Sequence, residues 1–217
     1  MTNPEGTQLI DHRYLDEQFT KNRRMLWTDK IWRQGPERAY DVSSQIISAF
    51  RKYKTNFHES YMEMGCGVYS PLGVSTVMYL NGVENCIAAD KHGTDRTRSA
   101  EALYDLLAAC ALEPKRWNMT GLKQTKYFKR LHTFDIGALQ NGNLSKGIAN
   151  TPLAYVFSNL ENVPIADNTM AFISSRETLE HILDFRQGMN ELYRIMKPGG
   201  VSLHSIDLVD HRIYREP

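Results

Sequence analysis

Apolar and polar positions along the chain fall into two rhythms that take turns. After Pro36-Glu37, Val42, Ile46, Ala49, Phe50 and Tyr53 recur on one face and predict a helix through Tyr53. Pro36 sits in the first turn, where its missing N–H costs little. Tyr61-Met62-Glu63-Met64 then reads as the end of a buried strand running into the turn Gly65-Cys66-Gly67. Leu72, Val77 and Leu80 mark a helix from about Pro71 to Leu80, closed by Asn81-Gly82. Asn85 to Asp90 reads as a short buried strand ending in an acid. Thr97 to Leu112 carries Leu103, Leu106, Leu107 and Cys110 along one side of a helix that Glu113-Pro114 stops. Leu153–Ser158 and Thr169–Ser174 predict a third and a fourth strand. From Glu177 to Met196, Leu179, Ile182, Leu183, Met189, Leu192 and Ile195 recur at helical spacing. Lys197-Pro198-Gly199-Gly200 breaks that helix, and Val201–Ile206 predicts a fifth strand. Helices alternating with strands are the grammar of a parallel sheet with crossover helices, an α/β fold.

Two stretches stand outside this rhythm. Residues 1–35 are polar with scattered aromatics (Tyr14, Phe19, Trp27, Trp32) and read as a helical N-terminal extension beside a main domain over 36–217. Within that domain, 115–150 reads as an insertion of short helices beside the site. It holds the basic, aromatic run Lys123 to Arg130, in which cations and rings could stack on nucleic-acid bases. The net charge of +1 supplies no global field toward nucleic acid or an anionic membrane, so the run is weighed first as a solvated helix face. No apolar stretch approaches the ~20 residues that span a bilayer. The start of the chain has no basic region followed by an apolar run. Three cysteines without metal-ligand spacing read as reduced residues of a cytoplasmic protein, and no metal site is predicted.

The chemistry concentrates at the first strand-to-helix turn. Glycines there let a ligand approach the backbone, and the free N–H groups at the start of the following helix are expected to face it. A dinucleotide fingerprint needs a third glycine, where this chain has Ser70, and no Gly-Lys-Ser or Gly-Lys-Thr follows as a P-loop requires. Glu63-Met64-Gly65-Cys66-Gly67, the strand-end Asp90 and Glu191-Leu192-Tyr193-Arg194-Ile195-Met196-Lys197-Pro198-Gly199-Gly200 occur in this order with the appropriate elements between them. In these features the chain resembles the class I S-adenosylmethionine-dependent methyltransferases, closest to their small-molecule, type 11-like branch. The resemblance runs from about Tyr61 to Ile206.

It implies a three-layer Rossmann-like sheet and S-adenosyl-L-methionine as cofactor. It implies that Glu63 sets the turn and the cofactor's polar end, with Gly65, Cys66 and Gly67 presenting backbone to it. Asp90 would take the ribose diol, and Lys91 with His92 would flank the adenine. Asn159 stands where the family often has an acid for the adenine amino group, and its carbonyl can still accept that bond. Leu160 and Ser175 complete the expected cofactor set. Ala171 departs from the family, whose fourth strand usually has Asp there.

Methyl transfer needs a base only where the acceptor must lose a proton. The candidates are His181, four residues after Glu177 on the predicted helix, and His204 with Asp207, Asp210 and His211 after the fifth strand. The expected acceptor is a small molecule. Ser174-Ser175-Arg176-Glu177 stands where methyltransferases of base amino groups carry an Asn-Pro-Pro-Tyr-type motif, which disfavours nucleic acid. The family sheet normally adds two strands after the fifth, which the residues after His211 are too few to form. The expectation is therefore a sheet lacking those strands, with a partner or second subunit over its open edge. The alternative function is a truncated or degenerate domain that binds cofactor or a partner without turnover.

Overall fold

The computed structural model describes residues 35–53 and 58–208. The predicted extension lies outside them but for residue 35, as do Asp210 and His211. The elements run α1 (Pro36–Tyr53), β1 (Ser60–Met64), α2 (Gly73–Leu80), β2 (Asn85–Asp90), α3 (Arg96–Leu112), α4 (Pro114–Trp117), α5 (Gln124–Leu131), α6 (Ile136–Gln140), α7 (Leu144–Gly147), β3 (Leu153–Phe157), β4 (Met170–Arg176), a 3-10 turn (Leu179–His181), α8 (Phe185–Ile195) and β5 (Met196–Ser205). Among the described residues the strands form one sheet in the order β3-β2-β1-β4-β5, every pair parallel. It is the Rossmann-like α/β sheet expected from the sequence.

Period-two geometry explains the layers. Tyr61, Cys86, Ala88 and Phe172 point into a core shared with α1, α2, α3 and the short helices. Met62, Met64, Ala89 and Ile173, each one residue out of step, point into a second core with Leu192 and Ile195 of α8. Strand β1 is buried along its whole length, as a central parallel strand covered on both faces must be. Glu63 is the charge in that strand.

The short helices expected over 115–150 are α4–α7, but they do not lie beside the site as expected: they pack against α2 and α3, and none of their residues lines the cavities described below. Tyr127 is fully buried, and its hydroxyl donates to the Cys110 carbonyl at 3.2 Å. The Arg130 guanidinium lies 4.7 Å over the Tyr79 ring and donates to the carbonyls of Tyr79 and Val83 at 2.9 and 2.6 Å. It thus adds to the bonds that the Tyr79 carbonyl accepts at the end of α2 and pairs the Val83 carbonyl just beyond it. No helix among the described residues is long and apolar enough to cross a membrane.

Two further sequence expectations are corrected. No helix runs from Glu177 to Met196. Strand β4 extends to Arg176, Glu177 takes a left-handed φ of +50°, and α8 starts only after Asp184, whose carboxylate caps it by accepting from the Gln187 N–H at 2.9 Å. Leu179 is buried while Leu183 is fully exposed, so the apolar spacing spanned two elements. Glu177 and His181 therefore share no helix face. Lys197 to Gly200 does not precede β5 but lies within it, as a bulge: Met170 faces Met196 while Phe172 already faces Val201.

Candidate functional site

The turn after β1 is tied back to β2. The N–H groups of Gly65 and Cys66 both donate to the Ala89 carbonyl, at 2.8 and 3.2 Å. The Gly67 N–H donates to Asp90 Oδ2 at 2.8 Å, and the His92 N–H to Asp90 Oδ1 at 2.8 Å. The N–H groups of the turn itself are thus spent on β2 and on the acid at its end. In exchange Asp90, only 7% exposed, has its carboxylate held by one backbone donor on each oxygen. Oδ2 has a further lone pair to offer, while the His92 ring Nδ1 lies 3.3 Å from Oδ1.

The two glycines do different work. Gly65 has φ +69°, and a Cβ there would lie 2.0 Å from Thr178 Oγ1. Thr178 is anchored in turn by a hydrogen bond to the Arg176 carbonyl at 2.9 Å. Gly67 has φ +80°, and a Cβ there would meet nothing within 4 Å. Its bare Cα forms part of the wall of a cavity of about 250 Å³.

Of the residues expected at the site, Gly65, Cys66, Gly67, Asp90, Lys91, Asn159, Leu160 and His181 line this cavity, as does the flanking His92. Arg38 and Thr178 also line it, and neither was foreseen. A signal for Arg38 was present: Arg38, Val42 and Ile46 lie four apart, so this cation stands on the apolar stripe of α1. The cavity does not include Glu63, Ser175 or His204. These line a second cavity of about 100 Å³ between α1 and the carboxyl ends of β1, β4 and β5. Asp207 donates its N–H to Glu180 Oε1 at 3.3 Å, at the end of β5.

The electrostatics of the second group are those of burial. Burial raises the Glu63 carboxyl to about 7, against the opposing pull of Arg38, and the charge of Asp90 pushes the same way. The Arg38 Nη2 to Glu63 Oε1 distance is 3.5 Å, a long contact for an ion pair. His204 Nδ1 lies 2.8 Å from the Ser175 hydroxyl, and burial lowers the ring's pKa, which favours neutral imidazole. Burial, with Glu63 and Asp90 nearby, holds the Cys66 thiol well above its ordinary range, so it is packing and not a nucleophile. Among the described residues no group of three or more His, Cys, Asp or Glu is placed to hold a metal ion.

The loop that brings Asn159 and Leu160 to the cavity is clamped from α8. The Arg194 guanidinium donates to the carbonyls of Val163 and Ile165 at 2.9 and 2.7 Å and to the carboxylates of Asp167 and Glu191 at 2.6 and 2.8 Å. Glu191 Oε2 also accepts from the Val163 N–H at 3.0 Å. Arg194 holds the Glu191 carboxyl below its usual range. The Glu-x-x-Arg pair thus positions a loop.

Parts of the chain are similar to known proteins. A family model described as "Methyltransferase domain" matches residues 118–203, somewhat under half of the chain. No curated protein matches. Among solved structures, a Methanococcus maripaludis protein provisionally named an S-adenosyl-L-methionine-dependent methyltransferase is 18% identical, with a TM-score of 0.46 over 87% of this chain and 64% of that one. A Pyrococcus horikoshii protein is 12% identical, with a TM-score of 0.48 over 91% and 66%. An S-adenosylmethionine-dependent methyltransferase from Mesorhizobium loti is 15% identical, with a TM-score of 0.42 over 78% and 55%. The chain thus spans 55 to 66% of the length of these three. Over residues 118–203 the family match bears out the resemblance to methyltransferases.

Proposed function

We propose that the chain binds S-adenosyl-L-methionine in the larger cavity and transfers its methyl group to a small-molecule acceptor. One observation carries the reading: a nearly buried Asp90 carboxylate at the end of β2, fixed by two backbone N–H groups, beside a glycine whose missing Cβ leaves open space. A ribose diol offers two O–H donors, and a pinned carboxylate with a spare lone pair is the acceptor that suits it.

The residues present fit the rest of the group. The Arg38 guanidinium suits the carboxylate of the cofactor's methionine part, and the Asn159 carbonyl suits the adenine amino group. Leu160 and Ile182 supply apolar wall for the adenine ring. When bound, the cofactor supplies a methyl group on an electrophilic sulfonium. The chain's part is then to orient and exclude water, which can account for most of the effect. His204, kept neutral by burial, and His181, on the cavity wall, are the proposed bases for acceptors that must lose a proton. Arg130 is committed to carbonyls and the 115–150 helices lie away from both cavities, which argues against nucleic acid as the acceptor. A cytoplasmic location is part of the same proposal.

Calorimetric titration with S-adenosylmethionine and S-adenosylhomocysteine is the direct test, followed by mass-spectrometric screening of small-molecule acceptors. Micromolar binding that Asp90→Ala abolishes is expected. No binding of either compound by folded protein would refute the reading, and binding without transfer to any acceptor would leave a cofactor-binding module.

A further inference from the structure

The two oxygens of Asp90 are not alike. Oδ2 accepts from the Gly67 N–H. Oδ1 accepts from the His92 N–H at 2.8 Å and also faces the His92 ring, whose Nδ1 lies 3.3 Å away, within ion-pair reach. The backbone of His92 is held on both sides: its N–H is on Asp90, and its carbonyl accepts the Tyr155 hydroxyl at 2.7 Å. The side chain is 66% exposed and lines the larger cavity, so the ring is the part that is free to turn.

We infer that His92 is a positioning residue for this carboxylate, and that the charge of its ring decides whether Asp90 can take both hydroxyls of a nucleoside diol. The inference rests on the placement of the ribose at Asp90. An imidazolium carries a hydrogen on each ring nitrogen. Its Nδ1–H then competes with the second ribose hydroxyl for Oδ1. A neutral ring can keep its hydrogen on Nε2, and Nδ1 becomes a further acceptor beside Oδ1. An acceptor on that side and Oδ2 on the other match the two O–H donors of a diol. Neutral His92 therefore favours the ribose and charged His92 opposes it. An exposed ion pair is weak, so the effect is a modulation of affinity. The groups around the ring are Asp90 and Lys91 from β2 and its loop, and Tyr155 from β3, whose hydroxyl burial pushes up to about 12. Elsewhere on the cavity wall stand Arg38 of α1, Glu161 after β3, and Arg176, Glu177 and His181 at and beyond the end of β4. Two groups could imitate the effect: His181, the other histidine of this cavity, and Glu63, whose carboxyl burial raises to about 7.

The test is calorimetric titration of the folded chain with 5′-methylthioadenosine between pH 5.5 and pH 8. This probe has the diol but not the amino-acid part of the cofactor, and its own charge does not change over that range. The parent should bind it about three- to fivefold more tightly at pH 8 than at pH 5.5, because histidine ordinarily changes charge in between. His92→Ala should bind equally well at both ends of the range. His92→Lys, charged throughout, should stay at the parent's pH 5.5 level, which a loss of packing at an exposed position would not produce. Binding that needs Asp90 but is flat with pH in the parent would overturn the inference and leave the ribose placement standing. A pH dependence that survives in His92→Ala would overturn it as well, by giving the effect to His181 or Glu63. So would one that persists in Asp90→Asn, since the ring would then act on the base and not through the carboxylate. Failure of 5′-methylthioadenosine to bind at any pH would take down the ribose placement and the inference together.

Discussion

Gly65 and Gly67 are separated by one residue and share a left-handed backbone, yet alanine at each should do opposite things. At Gly65 the new Cβ would sit 2.0, 2.6 and 2.8 Å from Oγ1, Cγ2 and Cβ of Thr178. A left-handed non-glycine residue costs about 1–2 kcal/mol, and forcing a methyl into occupied space adds roughly 1–3 kcal/mol. The sum, about 2–5 kcal/mol, is a large part of the 5–15 kcal/mol that typically holds a domain together. For a chain of this size it should lower the melting temperature by on the order of 10 °C. Gly67→Ala meets no atom within 4 Å and carries only the backbone penalty, so it should lose a few degrees, about 1–2 kcal/mol. Its methyl occupies the larger cavity, however, so its melting temperature should no longer rise with S-adenosylhomocysteine.

Thermal unfolding with and without that compound separates the two effects, and a double-mutant cycle closes the argument. Thr178→Ala removes the two nearest atoms, so Gly65→Ala/Thr178→Ala should recover most of the steric part and retain the backbone part. Parent-like stability of Gly65→Ala would show that Thr178 does not press on this turn. Unimpaired S-adenosylhomocysteine binding by Gly67→Ala would show that the ligand does not approach there, and the placement of the cofactor would fall with it.

Other substitutions probe the remaining contacts. Asp90→Asn keeps the shape but loses the charge-assisted acceptor and sets an NH2 against the Gly67 or the His92 N–H, so the dissociation constant for S-adenosylhomocysteine should rise roughly ten- to a hundredfold by calorimetry. Arg38→Met should weaken S-adenosylhomocysteine by a similar factor while sparing 5′-methylthioadenosine, which has no carboxylate; equal loss of both would remove Arg38 from that role. Glu63 has a raised folded pKa, so its contribution to stability is full below about 4.5 and is lost as pH rises through about 7. Relative to Glu63→Gln, the parent should lose about 2.5 kcal/mol between pH 5 and pH 8 in urea unfolding, and a flat difference would deny the shift. Arg194→Lys keeps a charge but not the fork that holds Val163, Ile165 and Asp167, so amide exchange should quicken over 159–168 first, and uniform quickening would mean the clamp is global.

What could be read from the sequence depended on whether the signal was local. Asn85–Asp90 was found end to end because a short apolar run lay between turn residues, and Pro36–Tyr53 because its stripe and its proline agreed. The helix expected over Glu177–Met196 failed on two local features that spacing does not report: the left-handed Glu177 and the cap at Asp184. At the site, Asp90 and the glycine turn were legible because strand ends and glycines announce themselves. Arg38 was not, because nothing in its own neighbourhood says which strand ends α1 leans against. Glu63 was assigned to the cofactor by resemblance, but it falls in step with Tyr61, and period two turns both toward the α1 side of the sheet.

Lys197-Pro198-Gly199-Gly200 shows how a family-like motif can act without touching a ligand. Between the Met170–Met196 and Phe172–Val201 pairs, β5 uses five residues where β4 uses two. Gly199 takes φ +77° within this excess, where a side chain would be strained. Had the register continued from Met170–Met196 without the bulge, Ser175 would face Val201. With it, Ser175 faces His204, and the two side chains meet at 2.8 Å. The excess is an odd number of residues, so it also exchanges the faces of every side chain beyond it. The turn chemistry at the start of β5 therefore decides which residue stands opposite β4 at the far end, and puts a buried imidazole on the same cavity as Glu63. Glu191 and Arg194, just before it, fix the loop that carries Asn159 to the other cavity. One continuous stretch, Glu191 to Gly200, sets one residue of each cavity while lining neither.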